Sequence, residues 1–309
     1  MASEGPQLVV MAAGMGSRFG GPKQLEPLGP AGETIPEYSA FDAVRHGFTE
    51  IVFIVREEIE DAFRSTVGRV VERRIATKYV SQRLDDLPSG FEPPRDRTKP
   101  WGTAHALWCC RNVVDRPFAV INADDFYGEG AFRVLGEFLS RSTTAEGCYC
   151  MVGYRLDDTL SPHGEVSRGV CATSRDGMLT GIVETSGIRR GSEGITCAPR
   201  GNGRCALAAD SVVSMNIWGF TPDLLGHLDR ALGSFLAEHA SDPGAECYLP
   251  EVVGDLLRTD QASVRVLRAD TRWFGLTNRR DLEDVQRVID ELTAAGAYPA
   301  SLWGRDDGG

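Results

Sequence analysis

The chain has 309 residues, 42% of them hydrophobic, enough to bury one large core or two modest ones. Its 33 Lys and Arg stand against 44 Asp and Glu, a net charge of −11, so most of the surface repels nucleic acid and no nucleic-acid partner is expected. No apolar run reaches the ~18 residues a membrane span needs, and Met1–Pro6 lacks the basic and apolar regions of a secretory signal, so a cytoplasmic protein without membrane contact is expected.

Gln7–Ala13 reads as a strand apolar on both faces, ending at Gly14. The segment that follows, Gly14-Met15-Gly16-Ser17-Arg18-Phe19-Gly20-Gly21-Pro22-Lys23, lets backbone N–H groups approach an anion and adds two cations, Arg18 and Lys23. That combination suits a polyphosphate; the alternative is a glycine-rich turn with stray surface charges. It is neither a Walker loop nor a dinucleotide fingerprint, since Phe19 stands where the latter needs glycine. A helix starting near Glu33–Pro36 closes at Gly47, and Ile51–Val55 is a second buried strand. The spacing of Ile59, Phe63 and Val67 predicts a helix over Glu57–Glu72, and Ile75–Gln82 a third strand. Leu84–Lys99 is a long loop, read either as a lid whose Lys99 reaches a phosphate or as surface packing. A helix over Gly102–Val113 carries His105, read as a satisfied, partly buried histidine; Trp101 and Trp108 are read as core or substrate-platform residues. Phe118–Ile121 is a fourth buried strand running into Asn122-Ala123-Asp124-Asp125, with a helix over Phe132–Phe138 behind it.

Strand thus alternates with helix through the first half, as in a parallel three-layer α/β sheet, where ligands bind outside the carboxyl ends of the strands. Gly14, Gln82 and Asp124 all fall at such ends. In the second half, strands are expected at Cys148–Tyr154, Gly169–Ser174, Leu179–Thr185, Val212–Phe220 and Ser263–Arg268, and helices at Pro222–His239, Cys247–Leu257 and Arg280–Ala295. Arg189–Arg204 reads as a flexible insertion and residues 305–309 as a disordered tail. The eight cysteines form no C-x-x-C pair and are expected to be reduced and buried; a zinc site at Cys197 and Cys205 is the weaker alternative. The acidic pair Asp124-Asp125 at a strand end points to Mg²⁺, which favours carboxylates plus substrate phosphates; the alternative is a helix cap beside a solvated side chain.

Taken together, these segments resemble the sugar-1-phosphate nucleotidyltransferases, the nucleotide-sugar pyrophosphorylases. Gly14, Gly16, Arg18 and Lys23 fit the family's G-x-G-x-R-x₄-K pattern, Lys99–Ala106 its G-T-A segment, and Val120–Gly128 the strand ending in the magnesium aspartate. Val183-Glu184, Ser214–Phe220, Glu246–Pro250 and Trp273–Thr277 match later segments in order. The resemblance implies a Rossmann-like three-layer sandwich with a mostly parallel mixed central sheet, as a single domain over 1–304 with a nucleotide-binding half to about 145 and a sugar-binding half beyond it. It implies the reaction NTP + sugar-1-phosphate ⇌ NDP-sugar + pyrophosphate, with Mg²⁺, or Mn²⁺ in its place, as cofactor. Arg18, Lys23 and Asp124 would be catalytic, Asp124 holding the metal. Ala12, Ala13, Gly14, Met15, Gly16, Ser17, Gln82, Gly102 and Thr103 would bind the nucleotide, with Gln82 on a base edge and Gly102 allowing close approach of base or ribose. Asp125, Arg168, Glu184 and Asn216 would bind the sugar phosphate; Arg168 is alternatively an exposed strand arginine.

Two departures stand out. Many members carry a second magnesium aspartate in a W-x-D segment, where this chain has Trp273-Phe274-Gly275; Asp125 or Asp270 could supply that carboxylate, or one ligand could suffice. Many also place a lysine just after the sugar-binding glutamate, where Thr185-Ser186 stand here. Alternative readings are a cytidylyltransferase acting on a non-sugar phosphate such as phosphocholine, a metal-dependent glycosyltransferase of related architecture, and a catalytically weakened regulatory relative. The base, the acceptor and the oligomeric state are left open.

Overall fold

The structure, a computed structural model, describes residues 5–14, 21–141, 145–162, 164–192, 194–198, 205–276, 279 and 281–304. Four short strands set its frame; the first, second and fourth in the chain are largely apolar and buried, while the third is partly exposed. β1 (Gln7–Met11), β2 (Glu50–Val55), β3 (Ala76–Ser81) and β4 (Phe118–Asn122) lie parallel in the order β4-β1-β2-β3. Leu8 and Val10 point into one buried cluster while Val9 points into another, so this part of the sheet is covered on both faces. α1 (Ile35–Arg45) opens on a capping box in which Glu37 Oε2 accepts the Thr34 N–H at 2.6 Å. α2 (Glu57–Phe63) passes into a π-helical turn over Arg64–Gly68 and then α3 (Arg69–Val71), where one regular helix is expected. The Ser65 and Thr66 hydroxyls bond back to Ala62 O at 3.0 and 2.8 Å, competing with the regular ladder. α4 (Thr103–Trp108) covers the opposite face, and β5 (Asp125–Phe126) and α5 (Glu129–Leu139) follow β4.

The remaining strands are β6 (Cys148–Arg155), β7 (Val166–Thr173), β8 (Leu179–Gly191), β9 (Gly194–Cys197), β10 (Cys205–Leu207), β11 (Val212–Phe220) and β12 (Ser263–Arg268). One 11-stranded mixed sheet results, ordered β10-β9-β8-β7-β11-β4-β1-β2-β3, with β6 on β11 and β12 parallel to β6. β11 decides where the cleft lies. It pairs antiparallel with β7 at Val213 and Ser214, then with β4 from Trp218 to Phe220. The register breaks between Ser214 and Trp218, and Asn216 there has φ 59°, a left-handed conformation that asparagine tolerates better than most residues. Because β7 and β4 occupy the same edge of β11 in succession, a gap opens between them at that bulge.

α6 (Leu224–His239) and α7 (Leu249–Arg258) complete the α4 face, and β13 (Phe274–Gly275) pairs with β5. α8 (Asp281–Ala294) and the segment reaching Leu302 pack on α1 through Tyr38, Phe126, Ile289 and Tyr298. Among the described residues, no helix is long and apolar enough to cross a membrane.

Two expectations are corrected. The stretch from Arg189 is not a loose insertion throughout: β8 continues to Gly191 and β9 follows, because Ile188 and Ile195 are buried. Residues 199–204 lie outside the described residues, as does the tail from 305. Nor are all cysteines reduced. Cys197 is disulfide-bonded, and Cys205 lies opposite it in the antiparallel β9–β10 ladder, where facing positions come within bridging distance. A sulfur held in a disulfide is not available as a thiolate ligand, which counts against the zinc alternative at Cys197.

On the buried face of α1, Asp42 is 1% exposed and accepts the Tyr298 hydroxyl at 2.6 Å, while its Oδ1 has no hydrogen-bond partner among the described residues. Burial pushes its carboxyl from 3.8 to about 7. The folded protein therefore holds this proton more tightly than the unfolded chain. The resulting stability is complete below about pH 4 and is lost as pH rises through about 7. Asp42→Asn keeps the acceptor for Tyr298 and removes the titration, so its melting midpoint should exceed wild type by a few degrees at pH 8. Scanning calorimetry from pH 4 to 8 checks this; parallel curves for the two proteins would refute it.

Candidate active site

The gap between β4 and β7 opens into a cavity of about 840 Å³. Its wall brings together Thr103, Asp124, Asp125, Arg168, Glu184 and Asn216 from the expected site residues. Ala12, Ala13, Gly14, Lys23, Gln82 and Gly102 are outside that wall, and Met15, Gly16, Ser17 and Arg18 lie outside the described residues.

Asp124 sits between β4 and β5, with its carbonyl accepting the Leu276 N–H at 3.1 Å. Lys23 reaches it from the loop after β1: Nζ is ion-paired with Asp124 Oδ2 and donates to Leu276 O at 2.7 Å. Lysine and aspartate, 101 positions apart in the numbering, thus meet at the carboxyl ends of adjacent parallel strands. Ala12 and Ala13 are buried at the end of β1, where Gln24 Nε2 donates to Ala12 O at 2.9 Å. Gly14 is exposed, with open space where a Cβ would stand.

Asp125 is 9% exposed. Burial, and next the neighbouring Asp124 carboxylate, hold its carboxyl above the ordinary range, while Lys23 and Arg168 oppose this. Across the cavity, Arg168 is fixed by bonds to Thr159 Oγ1, Thr159 O and Ser167 O, and its guanidinium lies 5.0 Å over the Trp273 ring. It is a held, largely buried cation rather than an exposed strand arginine. Glu184, on β8, has its carboxyl raised by burial and lowered by Arg168. Asn216 turns its amide inward at the bulge, donating to Asn122 Oδ1 at 2.7 Å and accepting the Trp218 indole N–H at 3.1 Å.

The neighbouring end of β3 is built around His105. This histidine is fully buried and bonds to Asp86 O at 2.7 Å through Nε2. A carbonyl can only accept, so Nε2 carries the proton; burial, which lowers the imidazole pKa, keeps the ring neutral. Nδ1 must then accept, and it does so from Gln82 Nε2 at 3.2 Å, which also donates to Gly102 O at 3.2 Å. Both amide hydrogens of Gln82 are engaged, leaving Oε1 as its available group.

Two expectations read differently here. Gly102 has φ 100°, and a Cβ on it would lie 2.4 Å from Cys247 O: the close approach its missing side chain allows here is that of its own chain. The 84–99 loop is stapled rather than free to close. Arg97, 5% exposed, donates to the carbonyls of Lys99, Pro100, Asp242 and Ala245 and stacks 3.4 Å over Trp101. Lys99 itself is paired with Glu246, not directed at the cavity. Residues that the sequence did not single out are Asn122 and Tyr127, which bond to Asp125, and Tyr248 and Glu251, which line the far wall. Tyr248, 42% exposed despite its size, could have been suspected from its place in the Glu246–Pro250 segment.

The fold recurs in known proteins. Solved structures with the same fold include an inositol-1-phosphate CTP transferase from T. maritima (TM-score 0.58, 14% identity, 95% of this chain and 98% of that one). A UDP-glucose pyrophosphorylase complexed with UDP-glucose gives TM-score 0.58 at 15% identity over 93% and 98%. A putative glucose-1-phosphate thymidylyltransferase from Bacillus anthracis gives 0.59 at 15% over 92% and 94%. In sequence, the chain is 28% identical over 130 residues to the UTP–glucose-1-phosphate uridylyltransferase of Bacillus subtilis (strain 168), covering 38% of this chain and 43% of that protein. The match therefore spans less than half of that relative. The nucleotidyl transferase family model matches residues 7–168, more than half of the chain and all of the β1–β4 frame with its Lys23–Asp124 pair. The chain belongs to the nucleotidyl transferase family.

Proposed function

We propose that this chain transfers a nucleotidyl group from an NTP to a sugar-1-phosphate, releasing pyrophosphate. The observation that carries the reading is the Lys23–Asp124 pair, set beside a cavity whose opposite wall holds Arg168 and Glu184. An oxygen of the sugar phosphate attacks the α-phosphorus as the bond to the β-phosphate oxygen breaks, so positioning and charge neutralisation do most of the work. Lys23 would stabilise charge at the α-phosphorus, and Arg18 the leaving pyrophosphate. The segment Ala12, Ala13, Gly14, Met15, Gly16 and Ser17 would cradle the triphosphate. Thr103, in the cavity wall, would contact the nucleotide. Arg168 would hold the acceptor phosphate, and Glu184 would accept hydrogen bonds from acceptor hydroxyls.

Asp124 and the adjacent Asp125 offer carboxylate oxygens, the donor chemistry that Mg²⁺ or Mn²⁺ requires. Asp124 would hold the ion, which when bound supplies charge stabilisation on the phosphate oxygens. The free Oε1 of Gln82 suits a base presenting a ring N–H, so uracil, thymine or guanine nucleotides are expected to be used ahead of adenine ones. A cytoplasmic location remains part of this reading.

The test is pyrophosphate release with Mg²⁺, each NTP in turn and a panel containing hexose-1-phosphates, glucosamine-1-phosphate, inositol-1-phosphate and phosphocholine. Release with a hexose-1-phosphate is expected. No release with any pair, together with transfer from an NDP-sugar, would replace this reading with glycosyl transfer.

A further inference from the structure

Asp125 holds an unused carboxylate oxygen, and the hydrogen bonds behind it show which one. The Trp218 indole N–H can only donate, so the Asn216 atom 3.1 Å away is its carbonyl oxygen. Asn216 must then direct its NH₂ at Asn122, whose carbonyl oxygen accepts at 2.7 Å. Asn122 in turn directs its own NH₂ at Asp125 Oδ2, at 2.8 Å. Each amide orientation is fixed by the one before it, and the series ends by requiring an acceptor at Oδ2.

Oδ1 has no hydrogen-bond partner among the described residues, although Asp125 is more than nine-tenths buried and lines the cavity beside Asp124. It occupies space that only a glycine leaves open. Gly275 is the cross-strand partner of Asp125 in the β5–β13 pair, and a Cβ on Gly275 would stand 2.5 Å from Oδ1. The Trp273 ring closes the other side of the same glycine, 2.9 Å from that position, so a side chain there could not avoid the carboxylate. Asp270, the other acidic residue nearby, packs its backbone against Gly130 and is absent from the cavity wall.

We propose that Asp125, through Oδ1, is the second carboxylate for the divalent cation held by Asp124, and that Gly275 is the residue that positions it. The inference rests on the nucleotidyl-transfer reading only in naming the cation's purpose. Mn²⁺ is the probe, titrated by electron paramagnetic resonance with and without inorganic pyrophosphate. Asp125→Asn should weaken Mn²⁺ binding about tenfold or more, and Gly275→Ala should also weaken it by displacing the carboxylate. Circular dichroism identifies any variant that has not folded, and Gly275→Ala, at a backbone position any residue can adopt, keeps the test decisive if D125N is among them. Wild-type Mn²⁺ affinity in D125N, or in G275A, would overturn the proposal, as would absence of Mn²⁺ binding by the wild-type protein under both conditions. If Mn²⁺ binding falls as expected while no NTP and acceptor pair releases pyrophosphate, the assignment stands and the reaction reading falls.

Discussion

Asp124→Asn is expected to lower kcat/KM for pyrophosphate release by about three orders of magnitude while leaving the melting midpoint within a few degrees of wild type. The carboxylate is partly exposed, and its tie to the fold runs through the backbone bond from Leu276, which the substitution leaves in place. What the substitution removes is one negative charge from a site where a cation and Lys23 must both be held. Lys23 then loses its ion-pair partner and keeps only the carbonyl of Leu276. Steady-state kinetics beside a thermal melt separates the two effects. Wild-type turnover in the variant would move the metal site elsewhere.

Gly102→Ala should do the reverse, damaging the fold before the chemistry. At φ 100° an L side chain is strained, and the added Cβ would lie 2.4 Å from the carbonyl oxygen of Cys247 and 2.9 Å from its nitrogen. That backbone has nowhere to move: Cys247 O accepts the Ala104 N–H at 3.0 Å, and Cys247 N donates to Trp101 O at 2.8 Å. A loss of about 3 kcal/mol, or roughly 6–12 °C in the midpoint, is expected without any nucleotide present. An unchanged midpoint with a raised KM for NTP would mean that Gly102 faces the base after all.

These two residues also show how unequally the site was written into the chain. Asp124 was legible because a run of buried apolar residues ending in a carboxylate can be read one strand at a time. Parallel packing then dictates which end of the strand faces the ligand. Gly102 was noticed for close approach, but the segment around Cys247 that fills its missing Cβ lies 145 residues away and could not be read from its surroundings in the chain. Arg97 is similar. A loop rich in charge and proline reads equally as a lid or as surface packing, and four carbonyls and an indole ring decide for packing.

Local pattern alone made most of the β1–β4 frame legible, because β1, β2 and β4 are buried on both faces and leave apolar runs, and with it the strand-end positions of Gly14, Gln82 and Asp124. The tertiary structure alone decided the rest. Val212–Phe220 reads as one uninterrupted strand, and nothing in its period shows that it exchanges β7 for β4 at Asn216 and so opens the cleft. Nor does Trp273-Phe274-Gly275 show that its glycine faces Asp125. Local pattern records what each segment needs from water and from its own backbone. Which oxygen is left without a partner depends on every element that packs around it.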